Sequence, residues 1–206
     1  MSEKKPTRIK LRNEAKILEA AQTTFASWGF HGATTDMIAE MADMSQSNLH
    51  NYFKTKQELY EAVLSRILKD WLDLIDDLNP DGDPMEELRR YISQKVEMAR
   101  KHPEASRVFA AEVLQGAPFI KSFLKKQLSE KVEQFAAVVH GWVKAGKIRN
   151  TNPYHLIFLI WGSTQHYADF LPQVKAVMSL PRLSKVDFKD VENSISDIVL
   201  NGLLPR

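Results

Sequence analysis

The chain of 206 residues carries 28 Lys and Arg against 26 Asp and Glu, a formal charge of +2, so any surface for a polyanion has to be a local patch. With 44% hydrophobic and 26% charged residues the composition is that of a folded globular protein. The absence of cysteine excludes disulfide frameworks, thiolate zinc sites, iron–sulfur clusters and cysteine nucleophiles. The longest apolar stretch, Leu156 to Trp161, is far shorter than the roughly 18 residues of a membrane span. Met1 to Lys5 lacks the apolar core of a signal peptide, so a cytoplasmic protein is expected.

The 8 Gly and 9 Pro fall mostly where helices should start or stop, and the alternation that strands produce is scarce. This predicts an all-α fold of about nine helices. Lys4 to Lys16 holds six basic residues (Lys4, Lys5, Arg8, Lys10, Arg12 and Lys16) against Glu14. It leads into Ile17, Leu18, Ala21 and Phe25 at helical spacing, a first helix expected to end at Trp28-Gly29. Thr34 caps a short second helix that turns Met37, Ile38 and Met41 inward, with Asp36 in its first turn. Ser45 caps a short third helix carrying Leu49, Tyr52 and Phe53. Thr55 to Glu58 is a capping box that opens a fourth helix reaching Leu78.

The turn cluster Asn79 to Pro84 follows, with Asp83 as cap and Pro84 as first residue of a fifth helix ending before Pro103. Helices are then expected over Glu104–Gln115, Phe119–Lys144, Asn152–Phe170 and Val186–Asn201. The functional halves divide along the fourth helix. Residues 1–56 form the basic arm and DNA-reading part, and residues 57–206 the effector-binding and dimerisation part.

Residues Thr34 to Phe53 read as helix, tight turn, helix, the geometry of a helix-turn-helix whose second helix enters the major groove of double-stranded DNA. Gln46, Ser47, Asn48 and His50 project small donors and acceptors suited to base edges. Asn51, Lys56 and the Tyr52 hydroxyl are better placed for phosphates. With Thr34, Thr35 and Ser45 at the helix starts they make the candidate DNA-binding set, to which the arm adds salt-sensitive affinity. The same residues also suit a plain solvated face, and periodicity alone does not separate the two.

Phe25, Gly29, Phe30, Gly32, Thr34, Ile38, Ala39, Ala42, Ser45, Asn48, Leu49, Tyr52, Phe53, Lys56 and Leu59, at these spacings, resemble the DNA-binding domain of the TetR family of bacterial regulators. One departure is Asp43, where the family's turn usually has Gly. Asp tolerates a left-handed backbone better than most residues, so the turn is expected to survive at a cost of about 1 kcal/mol.

On the helix Asn152–Phe170, Phe158, Trp161, Gln165 and Asp169 recur on one stripe and put an amide and a carboxylate among aromatics. A buried Gln165 without a partner would cost roughly 1–3 kcal/mol, and its donor beside an acceptor matches a planar ligand with adjacent N–H and C=O groups. Trp71 on the fourth helix and Arg107 on the sixth are candidates for a stacking surface and a donor fork. The alternative is plain core, with Arg107 paired to Asp169 or Glu104.

A narrower resemblance is carried by Ala105-Ser106-Arg107, Gly116-Ala117-Pro118, Gly141 to Lys144, His155 to Phe158 and Ser163 to Phe170. These runs resemble the branch of the same family that controls pyrimidine breakdown and nitrogen supply and is released from DNA by uracil or thymine. The resemblance implies a repressor of such genes, with Trp71, Arg107, Trp161, Gln165, Tyr167 and Asp169 in the effector site. A different small planar or hydrophobic effector is the other reading. In this family the last two long helices pair with their twofold mates. Here that implies a homodimer through Leu156, Leu159, Ile160 and Ser163 with Val191, Ile195, Ile198 and Val199, the alternative again being intramolecular core. A dimer places two reading helices about 34 Å apart or more and implies a palindromic operator.

An enzyme is the rival from another class. No phosphate-cradling Gly loop, Gly-x-Ser-x-Gly or His-Glu-x-x-His occurs, and the six histidines never share a helical face at ligand spacing. Neither catalytic residues, metal nor cofactor is expected. A helical adaptor remains possible but leaves the basic arm and the groove-suited helix unexplained.

Overall fold

The structure, a computed structural model, describes residues 8–205, and all of its regular structure is helical. Lys4 and Lys5 of the expected basic arm lie outside those residues. The helices are α1 Arg8–Gly32, α2 Thr35–Met41, α3 Gln46–Tyr52, α4 Lys56–Asp76, α5 Pro84–Lys101 and α6 Pro103–Leu114. They continue as α7 Lys121–Phe123, a π-helical stretch Leu124–Leu128, α8 Ser129–Lys144, α9 Pro153–Asp169, α10 Leu171–Val177 and α11 Lys185–Asn201.

The expected caps are formed. The Thr34 and Ser45 hydroxyls accept from the N–H groups of Met37 and Asn48, each at 3.2 Å. Asp83 accepts from Met85 and Glu86, and Asn152 from Tyr154 and His155, in both cases with Pro as the first helical residue. These side chains satisfy N–H groups that a helix start leaves without a backbone acceptor.

Three elements differ from the sequence reading. The first helix does not stop at Gly29 but kinks there, at φ 65°, ψ 177°, and resumes to Gly32. Such a backbone favours glycine. The expected single helix Phe119–Lys144 begins at Lys121 and widens into the π stretch. A short α10 was not anticipated at all.

The chain forms two compact units. The first comprises the residues up to Leu68 with Arg107–Ile120, the second Lys69–Ser106 with the residues from Lys121 onward. α4 and α6 each start in one unit and end in the other.

In the first unit α1 packs on α2 and α2 on α3, burying Ile17, Ala21, Phe25, Ile38, Leu49 and Leu59. Phe25 meets Tyr60 edge-on at 4.8 Å and Phe30 lies 4.6 Å from Phe119, so the 107–120 segment joins this core through an aromatic cluster. Glu112, 2% exposed, anchors that segment. Its carboxylate accepts the Phe119 N–H at 2.7 Å and the Tyr60 hydroxyl. Burial first, then the charge and hydrogen bond of Glu112, push the Tyr60 phenol well above its ordinary range.

In the second unit α5, α8, α9 and α11 enclose one core built on Leu88, Tyr91, Ile92, Phe135, Trp142 and Ile157. The Trp142 indole donates to the Pro80 carbonyl at 2.8 Å and fastens the 79–83 turn to α8.

Candidate DNA-reading and effector sites

The α2–α3 turn takes the geometry the reading helix needs. Asp43 sits at φ 50°, the left-handed conformation expected of it, and its carboxylate lies 3.3 Å from the Lys16 ammonium. Across the turn the Gln46 amide donates to the Thr35 hydroxyl at 3.2 Å, fixing the starts of α2 and α3 to each other. Ser45 and Ser47 share a hydrogen bond at 3.1 Å, and Thr34, Ser45, Gln46, Ser47 and Asn51 are exposed. Asn48 and His50 are half-buried, and His50 Nδ1 is engaged with the Phe53 carbonyl at 3.2 Å, which leaves Nε2 as its outward nitrogen.

Two of the three residues expected at phosphates, Tyr52 and Lys56, are also held by the fold. The Tyr52 hydroxyl accepts from the Asn13 amide at 3.0 Å and so keeps its own proton to donate. The Lys56 ammonium donates to the Ala33 carbonyl at 2.9 Å and lies 4.7 Å over the Phe30 ring, so one of its N–H groups serves the α1–α2 junction.

Within the second unit the face of α9 that bears Trp161, Gln165 and Asp169 meets α5. The Trp161 indole donates to the Tyr91 hydroxyl at 2.7 Å. Lys95, one turn beyond Tyr91, lies within range of the negative charge of Asp169. Arg100 and Leu171 line one cavity further along, so α5 and α9 run in the same sense, with Lys95 one turn after Tyr91 and Gln165 one turn after Trp161. The Asp169 carboxylate accepts a short hydrogen bond from Ser106. Gln165 is half-buried and its amide makes no hydrogen bond to the described residues. The protein partner expected for it is therefore absent among them.

Lys95 is the group that pattern reading missed. It is 3% exposed, and its ammonium lies 4.5 Å from the centroid of the Trp71 ring. Burial lowers its pKa to about 8, partly opposed by the negative charge of Asp169. One face of Trp71, expected as an open stacking surface, thus carries a cation.

Tyr167, Arg107 and Phe158 complete the candidate set. Tyr167, two residues from Gln165 and so some 200° around the helix, lines a cavity of about 260 Å³ with Arg100, Leu171, Lys175, Arg182 and Phe188. Arg107 is half-buried in the first unit, on the stretch of α6 that bears Glu112. Phe158, placed with Trp161 on the stripe, touches its ring at 5.9 Å yet is 55% exposed. Of the expected dimer contacts, Leu156, Ile160, Val191, Ile195 and Val199 are core of the single chain, while Leu159 and Ile198 stand 56% and 75% exposed.

Residues 17–63 match the family model for bacterial regulatory proteins of the tetR family, and residues 64–206 that for the C-terminal region of YcdC-like proteins. The chain is 43% identical over 190 residues to the HTH-type transcriptional regulator RutR of Escherichia coli K12, covering 92% of this chain and 90% of that one. It is 28% identical over 202 residues to the HTH-type transcriptional repressor NicS of Pseudomonas putida, covering 93% and 92%.

Among solved structures, a regulatory protein in the tetR family from Rhodococcus RHA1 superposes with a TM-score of 0.76 at 19% identity, covering 95% of this chain and 98% of that one. The ketosteroid regulator KstR2 of Mycobacterium tuberculosis does so at 0.71 and 18%, covering 94% and 95%. These two show the fold. Among the described residues no helix is long and apolar enough to cross a membrane. With the reading helices in place and both models matched end to end, the chain belongs to the TetR family of HTH-type transcriptional regulators and is not an enzyme.

Proposed function

We propose that the protein represses genes of pyrimidine breakdown as a homodimer on a palindromic operator, and leaves that operator when uracil or thymine binds the second unit. The observation that carries the effector reading is the Gln165 amide, half-buried beside Trp161 and Asp169 with no hydrogen bond to the described residues. A donor beside an acceptor matches the imide edge of a pyrimidine dione.

The homodimer reading is supported by exposed apolar groups on α9 and α11. Phe158, Leu159, Val186 and Ile198 are each more than half exposed, a density of apolar surface that favours a self-complementary twofold contact. Release then follows from linkage, since an effector that binds one spacing of the two reading heads better shifts the population away from the DNA-bound one.

Thermal melting against a panel of bases, nucleosides and amino acids tests the effector, because a ligand at 100 times its Kd adds about 2.7 kcal/mol of stability. A shift confined to uracil or thymine is expected, and a panel in which no pyrimidine shifts the melt removes this effector reading. Gln165→Leu should still bind the operator but no longer release it with uracil; an unchanged uracil response takes Gln165 out of the site. On the DNA side, Asn48→Ala and His50→Ala should each weaken specific binding by about 1–3 kcal/mol. Equal losses on random DNA would make them phosphate contacts.

A further inference from the structure

Lys95 is a cation held in a place where cations are rarely held. A lysine this buried is kept charged at neutral pH only by compensating contacts. The fold provides two, the face of Trp71 and the Asp169 carboxylate that Ser106 holds in place. Neither gives the ammonium a hydrogen-bond acceptor at contact distance, and among the described residues it donates none. Gln165 follows Trp161 by one turn as Lys95 follows Tyr91, and its amide is likewise without a hydrogen bond to them. Neither group is among the fully buried polar atoms left without a partner, so both keep access to solvent along the α5–α9 seam.

We propose that Lys95 is a direct effector contact, donating from its ammonium to an exocyclic carbonyl oxygen of a neutral planar ring whose N–H and second carbonyl pair with Gln165. This assignment rests on the pyrimidine reading above and adds to it the group that decides which rings are accepted. Lys95 and Asp169 together carry no net charge, so the seam suits a neutral dipolar ligand better than an anion. Trp71 supports the ammonium from the side opposite the carbonyl, and Asp169 keeps it protonated without occupying its donors. Charge-assisted hydrogen bonds of this kind are about twice as strong as neutral ones, and a ring without the carbonyl leaves the buried cation unpaired.

The test is a chemical double-mutant cycle by isothermal titration calorimetry on the full chain. Uracil and its two mono-oxo analogues, each lacking one carbonyl, are titrated into the wild type and into Lys95→Met. In the wild type one analogue should bind roughly 10- to 100-fold more weakly than uracil. Lys95→Met should lose a similar factor for uracil and nothing further for that analogue. Uracil binding unchanged in the variant, or weakened by the same factor for all three rings, overturns the assignment and leaves Lys95 a structural residue. If the wild type binds none of the three, the pyrimidine reading falls and this contact falls with it.

Discussion

Glu112→Ala should lower the melting temperature of the protein more than any exposed substitution. The carboxylate is buried and accepts from two buried donors, the Phe119 N–H at 2.7 Å and the Tyr60 hydroxyl. Its removal strands both, at roughly 1–3 kcal/mol each, so a total loss of about 2–6 kcal/mol is expected. For a chain of this length each kcal/mol moves the midpoint by roughly 2–4 °C. Glu112→Gln keeps an acceptor oxygen and should lose less. Circular-dichroism melts of the two variants settle the matter, and a Glu112→Ala midpoint within experimental error of wild type would falsify the anchoring role. The loss should also reach DNA binding, because Tyr60 packs on Phe25 and Phe30 in the core beneath the reading helices.

Lys95→Met should act in the opposite direction and stabilise the protein at pH 7. Burial sets the folded pKa near 8 against 10.5 for a free lysine. Below pH 8 both states hold the proton and the folded state bears the full cost of the buried charge. Between about pH 8 and 10.5 the unfolded chain binds a proton that the folded chain does not, so stability rises with pH across that window. The difference corresponds to about 3 kcal/mol. Methionine removes that cost, fills a similar volume and gives up a cation–π contact of roughly 0.5–2 kcal/mol, leaving a net gain of about 1–3 kcal/mol. Melts at pH 7 and pH 10 should show the advantage of the variant shrinking at the higher pH. A variant less stable than wild type at pH 7, or an advantage that does not change with pH, contradicts the account. A stabilising substitution that weakens effector binding is the pattern expected where a binding residue is kept at the expense of stability.

The parts of the fold that were legible in the sequence are those set by short-range chemistry. Thr34, Ser45, Asp83 and Asn152 start helices because their side chains reach N–H groups two or three residues on, and Asp43 turns the chain because its own backbone tolerates φ 50°. Contacts distant in sequence were less legible. Apolar spacing shows which side of α9 and α11 avoids water but not whether the cover is the same chain or another. Leu156 and Ile160 therefore read equally as interface or as intramolecular core, and in the fold they pack inside one chain. Lys95 was invisible for a different reason, since its charge marks it as surface in any one-dimensional pattern and only the fold reveals Trp71 and Asp169 beside it. α10 was lost because Phe170 ends α9 and Pro172 follows at once, a combination that reads as a stop.

The division of the chain bears on how such regulators diversify. Trp71, Lys95, Trp161, Gln165 and Asp169 all belong to one compact unit, while the α2–α3 pair with its Thr35–Gln46 tie belongs to the other. If the proposed site assignments hold, drift in the first set after a gene duplication would alter the signal that is heard without changing the address that is read. Drift in the second does the reverse. Glu112, on the stretch of α6 that belongs with the reading helices, falls with the second set.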